Sequence, residues 1–157
     1  MNKIKITKGD AIIRDGRYSI VASRFNDFIV ESLIKGSLEC LQQHGASDGD
    51  IEIVRVPGAF EIPVAAEKIA ATRRFDGIIT LGTIIRGETP HFDYVAGECL
   101  KGINAVSHKY GIPVGNGILT VNTIEQAIER SGSKAGNKGE EATLAVIEMV
   151  NLLRLIN

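Results

Sequence analysis

Tryptophan is missing from this 157-residue chain, and phenylalanine and tyrosine bring aromatic residues to only 5%. A place where several of these few rings gather is therefore informative. Cysteine is equally sparse. Cys40 and Cys99 both fall inside apolar helical patterns without CxxC spacing, so they read as small core side chains in a reducing compartment, not as a disulfide or a metal-binding pair. Neither sign of charge predominates, with 18 Lys plus Arg against 19 Asp plus Glu. No basic stripe points to nucleic acid and no acidic run to a solvated interaction tail. No apolar stretch approaches a membrane span, and Met1 to Gly16 lacks an apolar core of secretory length, so a cytoplasmic protein is expected. The three histidines, His44, His91 and His108, are scattered without ligand partners, and no metal site is expected. GxxxxGK[ST] does not occur and no GxGxxG follows the first strand, which argues against Walker-type nucleotide and dinucleotide binding.

What the chain does have is an alternation of β-rich and helix-like stretches. Tyr18 to Ala22 reads as a strand ending in Ser23-Arg24. Asn26 is placed to cap a helix to Gln43, in which Ile29, Leu33, Gly36 and Cys40 share one face and His44-Gly45 forms the stop. Ile51 to Val56 is a second strand, closed by Pro57-Gly58. A helix from about Glu61 to Ala71 turns Ile62, Ala66 and Ile69 inward. Gly77 to Leu81 is the third strand. After a polar turn, Thr89 is expected to cap a helix that starts at Pro90 and reaches His108. Ile112 to Thr120 is a fourth strand broken by Gly115 and Gly117, followed by a short helix from Thr123 to Arg130. Ser131 to Gly139 reads as a Gly/Lys loop, after which Asn137 and Glu140 cap a last helix to about Ile156.

Four βα units in one chain of this length predict a single domain over residues 1–157, with residues 1–10 as an arm. The expected architecture is a three-layer α/β/α sandwich of flavodoxin type around a four-stranded parallel sheet. Such sheets bind ligands beyond the carboxyl ends of their strands. Those ends carry Ser23-Arg24-Phe25-Asn26, Pro57 to Glu61, Thr83 to His91, and Asn116 to Val121. Phe25 suits stacking on a flat heterocycle or stapling its own helix. The turn before Pro90 offers N–H groups at a helix start, where phosphate binds readily. His91 reads as a helix-start residue bonded to its own turn or as a proton-transfer group beside that anion. Arg130, Lys134 and Lys138 are either a solvated loop or cations for a phosphate.

Four segments in register resemble the 6,7-dimethyl-8-ribityllumazine synthases, a family acting late in riboflavin synthesis. They are Arg24-Phe25-Asn26, Val56 to Glu61, Leu81 to Val95, and Glu125 to Arg130 running into Lys134 to Gly139. The resemblance implies condensation of 5-amino-6-(D-ribitylamino)uracil with 3,4-dihydroxy-2-butanone 4-phosphate, releasing phosphate and water, with no cofactor. It implies Phe25 stacked on the pyrimidine, and Ala59, Phe60, Glu61, Thr83, Ile84 and Ile85 holding the pyrimidine and ribityl chain. Asn116 would close the pocket from a neighbouring subunit. Glu88 and Thr89 would bind phosphate through backbone N–H groups, with Arg130 and Lys138 as cations, and His91 would be catalytic. Glu88 occupies the variable position before Thr89 and places an acid beside that phosphate. The resemblance further implies pentamers with shared active sites, and the short Gly132 to Gly139 loop favours a sixty-subunit shell, with possible riboflavin synthase association. Two other uses of the same rim stay open: a non-catalytic flavin- or ribityl-binding module, and a flavodoxin-like electron carrier, which the near-neutral charge disfavours.

Overall fold

The computed structural model describes residues 3–156. The first two residues of the expected arm and the last residue of the expected 1–157 domain lie outside the described residues. Four parallel strands, β1 (Tyr18–Ser23), β2 (Ile51–Val56), β3 (Gly77–Ile85) and β4 (Val114–Val121), form one sheet in the order β2-β1-β3-β4. The chain runs outward from β1 to β2, then returns past β1 to β3 and β4. This reversal opens a crevice beyond the carboxyl ends of β1 and β3.

Helices α1 (Asp27–Gln43), α4 (Ile124–Glu129) and α5 (Lys138–Leu155) cover one face, and α2 (Ile62–Ala71) and α3 (His91–Tyr110) the other. On the first face Ile20, Ile79 and Leu81 pack with Leu33, Leu41 and Ile147. On the second, Val21, Ile78 and Ile118 pack with Ile62, Ala66, Cys99 and Ile103. β3 is buried on both faces over Gly77 to Ile84, which is why it reads as an aliphatic run and not an alternation. Each such side chain contributes about 1.5–3 kcal/mol through burial. Cys40 and Cys99 are free and buried. Burial pushes both thiols up to about 11.

Several expectations need correction. β3 runs on to Ile85, so Thr83, Ile84 and Ile85 belong to the strand and the turn shrinks to residues 86–90. β-branched side chains buried on both faces sustain a strand that one glycine and one threonine do not interrupt. α3 starts at His91, with Pro90 preceding it and no side-chain cap from Thr89. Asn26 precedes α1 in a left-handed conformation, φ 62°, and makes no capping bond. Gly115 and Gly117 do not break β4. A Cβ on Gly115 would lie 2.6 Å from Val146 and 2.9 Å from the Ala142 carbonyl, so the missing side chain lets α5 lie flat on the strand. The loop after α4 contains a small hairpin, β5 (Ser131–Ser133) with β6 (Gly136–Asn137). The cap on α5 holds, since the Asn137 side chain accepts from the N–H groups of Gly139 and Glu140.

Among the described residues, the arm is tied down only at its base. Asn151 of α5 donates to the carbonyls of Asp10 and Ile12 at 2.7 and 2.9 Å, and Gly9 passes flush against the α5 backbone at Glu148. The Asp10 carboxyl, paired with Arg14, is held below its ordinary value. Ile4 and Ile6 stand 88% and 74% exposed. Among the described residues no helix is long and apolar enough to cross a membrane.

Candidate active site

A cavity of about 700 Å³ opens beyond the carboxyl ends of β1, β2 and β3. Three short chain segments build its walls. The turn after β1 continues the ladder to β2, with the Arg24 and Phe25 N–H groups donating to the carbonyls of Val56 and Pro57 at 2.8 and 3.0 Å. That fixes the backbone while leaving the Phe25 ring 71% exposed at the mouth. Opposite it, a single 3-10 turn at Ala59–Glu61 brings Phe60, 63% exposed, and Glu61 to the same mouth. With Phe92 of α3, three of the five phenylalanines in the chain line one crevice.

β3 supplies the floor through Thr83, Ile84 and Ile85. Thr83 is 3% exposed and its hydroxyl has no hydrogen-bond partner among the described residues. A buried hydroxyl without a partner costs about 1–3 kcal/mol, which a polar ligand group would recover. The far wall is the first three turns of α3. His91, Tyr94, Val95 and Glu98 line the cavity together, because residues three and four apart share one helix face. The His91 ring is exposed and bonds to no described residue. Between β3 and α3, the N–H groups of Gly87, Glu88 and Thr89 donate to no group among the described residues. They sit at a helix start, the geometry that favours an anion.

Of the residues named from sequence, Phe25, Ala59, Phe60, Glu61, Thr83, Ile84, Ile85, Thr89 and His91 line this cavity. Glu88 belongs to its loop but not to its lining, its side chain exposed. Asn116, Arg130 and Lys138 are elsewhere. They line a second cavity of about 340 Å³, with no residue common to both. Asn116 is not at a strand end as its sequence position suggested. It is the third residue of the edge strand β4, opposite Thr80, because Gly115 and Gly117 do not break that strand and it runs on to Val121. Arg130 ends α4 and donates to the Gln126 carbonyl at 3.0 Å, and Lys138 opens α5 beyond the hairpin.

Eight further lining residues, Asn26, Pro57, Gly58, Gly87, Phe92, Tyr94, Val95 and Glu98, were not singled out as site residues from the sequence. Glu98 was detectable as the next position on the His91 face of α3. Asn26 stands where a cap is expected but makes no capping bond. Its side chain instead donates to the Thr83 carbonyl at 2.9 Å, tying the Phe25 turn to β3. Among the described residues no three His, Cys, Asp or Glu side chains are grouped to hold a metal ion.

A flavodoxin-type sheet with an apolar crevice at its reversal point, an imidazole and unspent loop N–H groups defines a small-molecule enzyme of the α/β class. The model of the family described as 6,7-dimethyl-8-ribityllumazine synthase matches residues 15–154, nearly the whole chain, and the chain belongs to that family. It is an enzyme of riboflavin biosynthesis, a transferase.

Proposed function

We propose that the chain condenses 5-amino-6-(D-ribitylamino)uracil with 3,4-dihydroxy-2-butanone 4-phosphate to 6,7-dimethyl-8-ribityllumazine, releasing phosphate and water, in the cytoplasm. The observation that carries this reading is the rim cavity, which pairs an aromatic mouth with an anion-ready loop and a histidine. Phe25 stacks on the pyrimidine. Ala59, Phe60, Glu61, Thr83, Ile84 and Ile85 hold the pyrimidine and ribityl groups, with the Thr83 hydroxyl gaining the partner it lacks. The N–H groups of Glu88 and Thr89 take the phosphate, the Glu88 side chain turning to solvent. His91 moves protons during imine formation, when the 5-amino nitrogen bonds to the ketone carbon and water leaves. It does so again when phosphate is eliminated, because imidazole exchanges protons near neutral pH.

In this reading each site is completed by a second copy, whose Asn116, Arg130 and Lys138 meet the first copy's rim. Two different surfaces meeting in this way make a head-to-tail contact, which closes into a ring when the rotation between copies is a whole fraction of a turn, as a pentamer requires. The exposed Met149, Leu153, Leu155 and Ile156 of the last helix and its end supply apolar area that association would bury. The short segment between α4 and α5 favours further assembly into a sixty-subunit shell. The exposed arm is available to add an edge strand to a neighbour, and riboflavin synthase is a candidate for association with the shell. Purified protein mixed with both substrates should form the fluorescent lumazine, and omission of either substrate should abolish the signal. No product with both present would overturn the reading. Light scattering at assay concentration should give at least a pentamer; a monomer would overturn the shared site.

A further inference from the structure

Arg86 belongs to the segment that carries the family resemblance, yet it lines neither cavity. Its position is nevertheless specific. Its backbone N–H donates to the Val121 carbonyl at 2.9 Å, locking the end of β3 to the end of β4. Its guanidinium then reaches in two directions. On one side Nε donates to the Asn122 side-chain oxygen at 3.0 Å. Asn122 is itself held, its backbone N–H donating to the Gln126 side chain at 2.8 Å. On the other side the guanidinium lies 4.4 Å from the centre of the Phe92 ring and 3.4 Å from the Asp93 carboxylate.

Phe92 and Asp93 directly follow His91. Among the described residues, the contact from Arg86 is the only side-chain hydrogen bond made anywhere from Gly87 to Glu98. The loop 87–90 is exposed throughout, and nothing else polar ties it or the first turn of α3 to the sheet. A planar, fixed-charge group that stacks on a ring while bonding two partners holds a direction that a flexible ammonium does not.

The geometry points to Arg86 as a positioning residue. It braces the first turn of α3 against the β3–β4 edge, and thereby sets where His91 and the loop N–H groups meet the phosphate-bearing substrate. This rests on the proposed condensation. The pyrimidine side of the cavity is built by the ends of β1 and β2, the 3-10 turn and Thr83 to Ile85 of β3, which backbone pairing to β4 holds without the guanidinium.

The test compares R86A, R86K, D93A and D93N by steady-state kinetics with each substrate varied. R86A should lower kcat about tenfold, since a misplacement of about 1 Å costs up to ~10²-fold. It should raise KM for the butanone phosphate while leaving KM for the pyrimidine and the thermal midpoint unchanged. R86K should rescue only part of the loss. D93N, which keeps an oxygen for Arg86, should stay near the wild type, whereas D93A should share the R86A defect and add little to it in the double variant. Unchanged kinetics in R86A would overturn the proposal, as would a rise in both KM values together with a fall in the thermal midpoint. Failure of the wild type to turn over would overturn the condensation reading instead. Calorimetric titration with inorganic phosphate still decides the role of Arg86 in that case: weaker binding by R86A supports the brace, and equal binding sinks it.

Discussion

The two cavities differ in chemistry as much as in size. The rim cavity has aromatic faces, one imidazole and the carboxylates of Glu61 and Glu98, but no lysine or arginine lines it. The smaller cavity on β4 has no aromatic lining and two cations, Arg130 and Lys138, beside a single carboxylate at Glu141. A doubly charged phosphate in the rim cavity of an isolated chain would meet acids, neutral N–H groups and one imidazole, but no lysine or arginine. A heterocycle in the β4 cavity would find nothing to stack on. Each cavity supplies what the other lacks, and within one chain they share no residue. In the proposed reading, a phosphate-bearing substrate and a flat heterocycle are served by two copies, one presenting each surface.

The difference can be broken from either side. Replacing His91 with Ala should have the largest effect, lowering kcat by up to about 10²-fold, the low end for a general acid–base group. Its thermal midpoint should hold, because the side chain is exposed and bonds to no described residue. An unaltered rate across the pH range would remove His91 from its role. Arg130→Ala should act next, and on one substrate. A charge-assisted hydrogen bond from a half-exposed side chain is worth roughly 1.5 kcal/mol, so KM for the butanone phosphate should rise about tenfold. KM for the pyrimidine should barely move, and equal rises in both would make Arg130 a purely structural residue.

The smallest effect concerns the arm, remote from both cavities. Asp10 titrates below its ordinary value of 3.8 in the folded chain, chiefly through its bond from Arg14 and then that from the Ile12 N–H. A depressed carboxyl stabilises the fold fully above its unfolded value, and that contribution is lost as pH falls through the depressed one. Acidification below about 4 should therefore loosen the arm's base at Gly9–Ile12 while the sheet stays intact. Hydrogen exchange at the Ile12 amide, corrected for its intrinsic pH dependence, should accelerate there before the β3 amides do. Simultaneous loss of protection in both would contradict the local account.

How far the sequence revealed this arrangement depended on burial. β1 and β2 were legible because short β-rich runs end abruptly at polar or Pro-Gly turns, and α2 because Ile62, Ala66 and Ile69 keep one helical stripe. The end of β3 was not. Gly82 looks like a turn residue, but burial on both faces overrides its local preference. The hairpin β5–β6 is too short for periodicity to register. Asn26 looked like a cap from its place before α1, and only the tertiary bond to Thr83 shows its use. The rim was readable because strand ends are fixed by topology. The separation of Arg130 from His91 was not, since sequence order places them in one list while the sheet places them in different cavities.

Whether each site is assembled from two copies is decided by mixing H91A and R130A chains after dissociation and reassembling them. If one chain's rim meets its neighbour's β4 surface, equal mixing should restore about one quarter of the sites to two intact halves. Turnover at low butanone phosphate should then exceed the mean of the two variants assembled separately. Activity equal to that mean would place both residues in one chain's own site and contradict the shared arrangement.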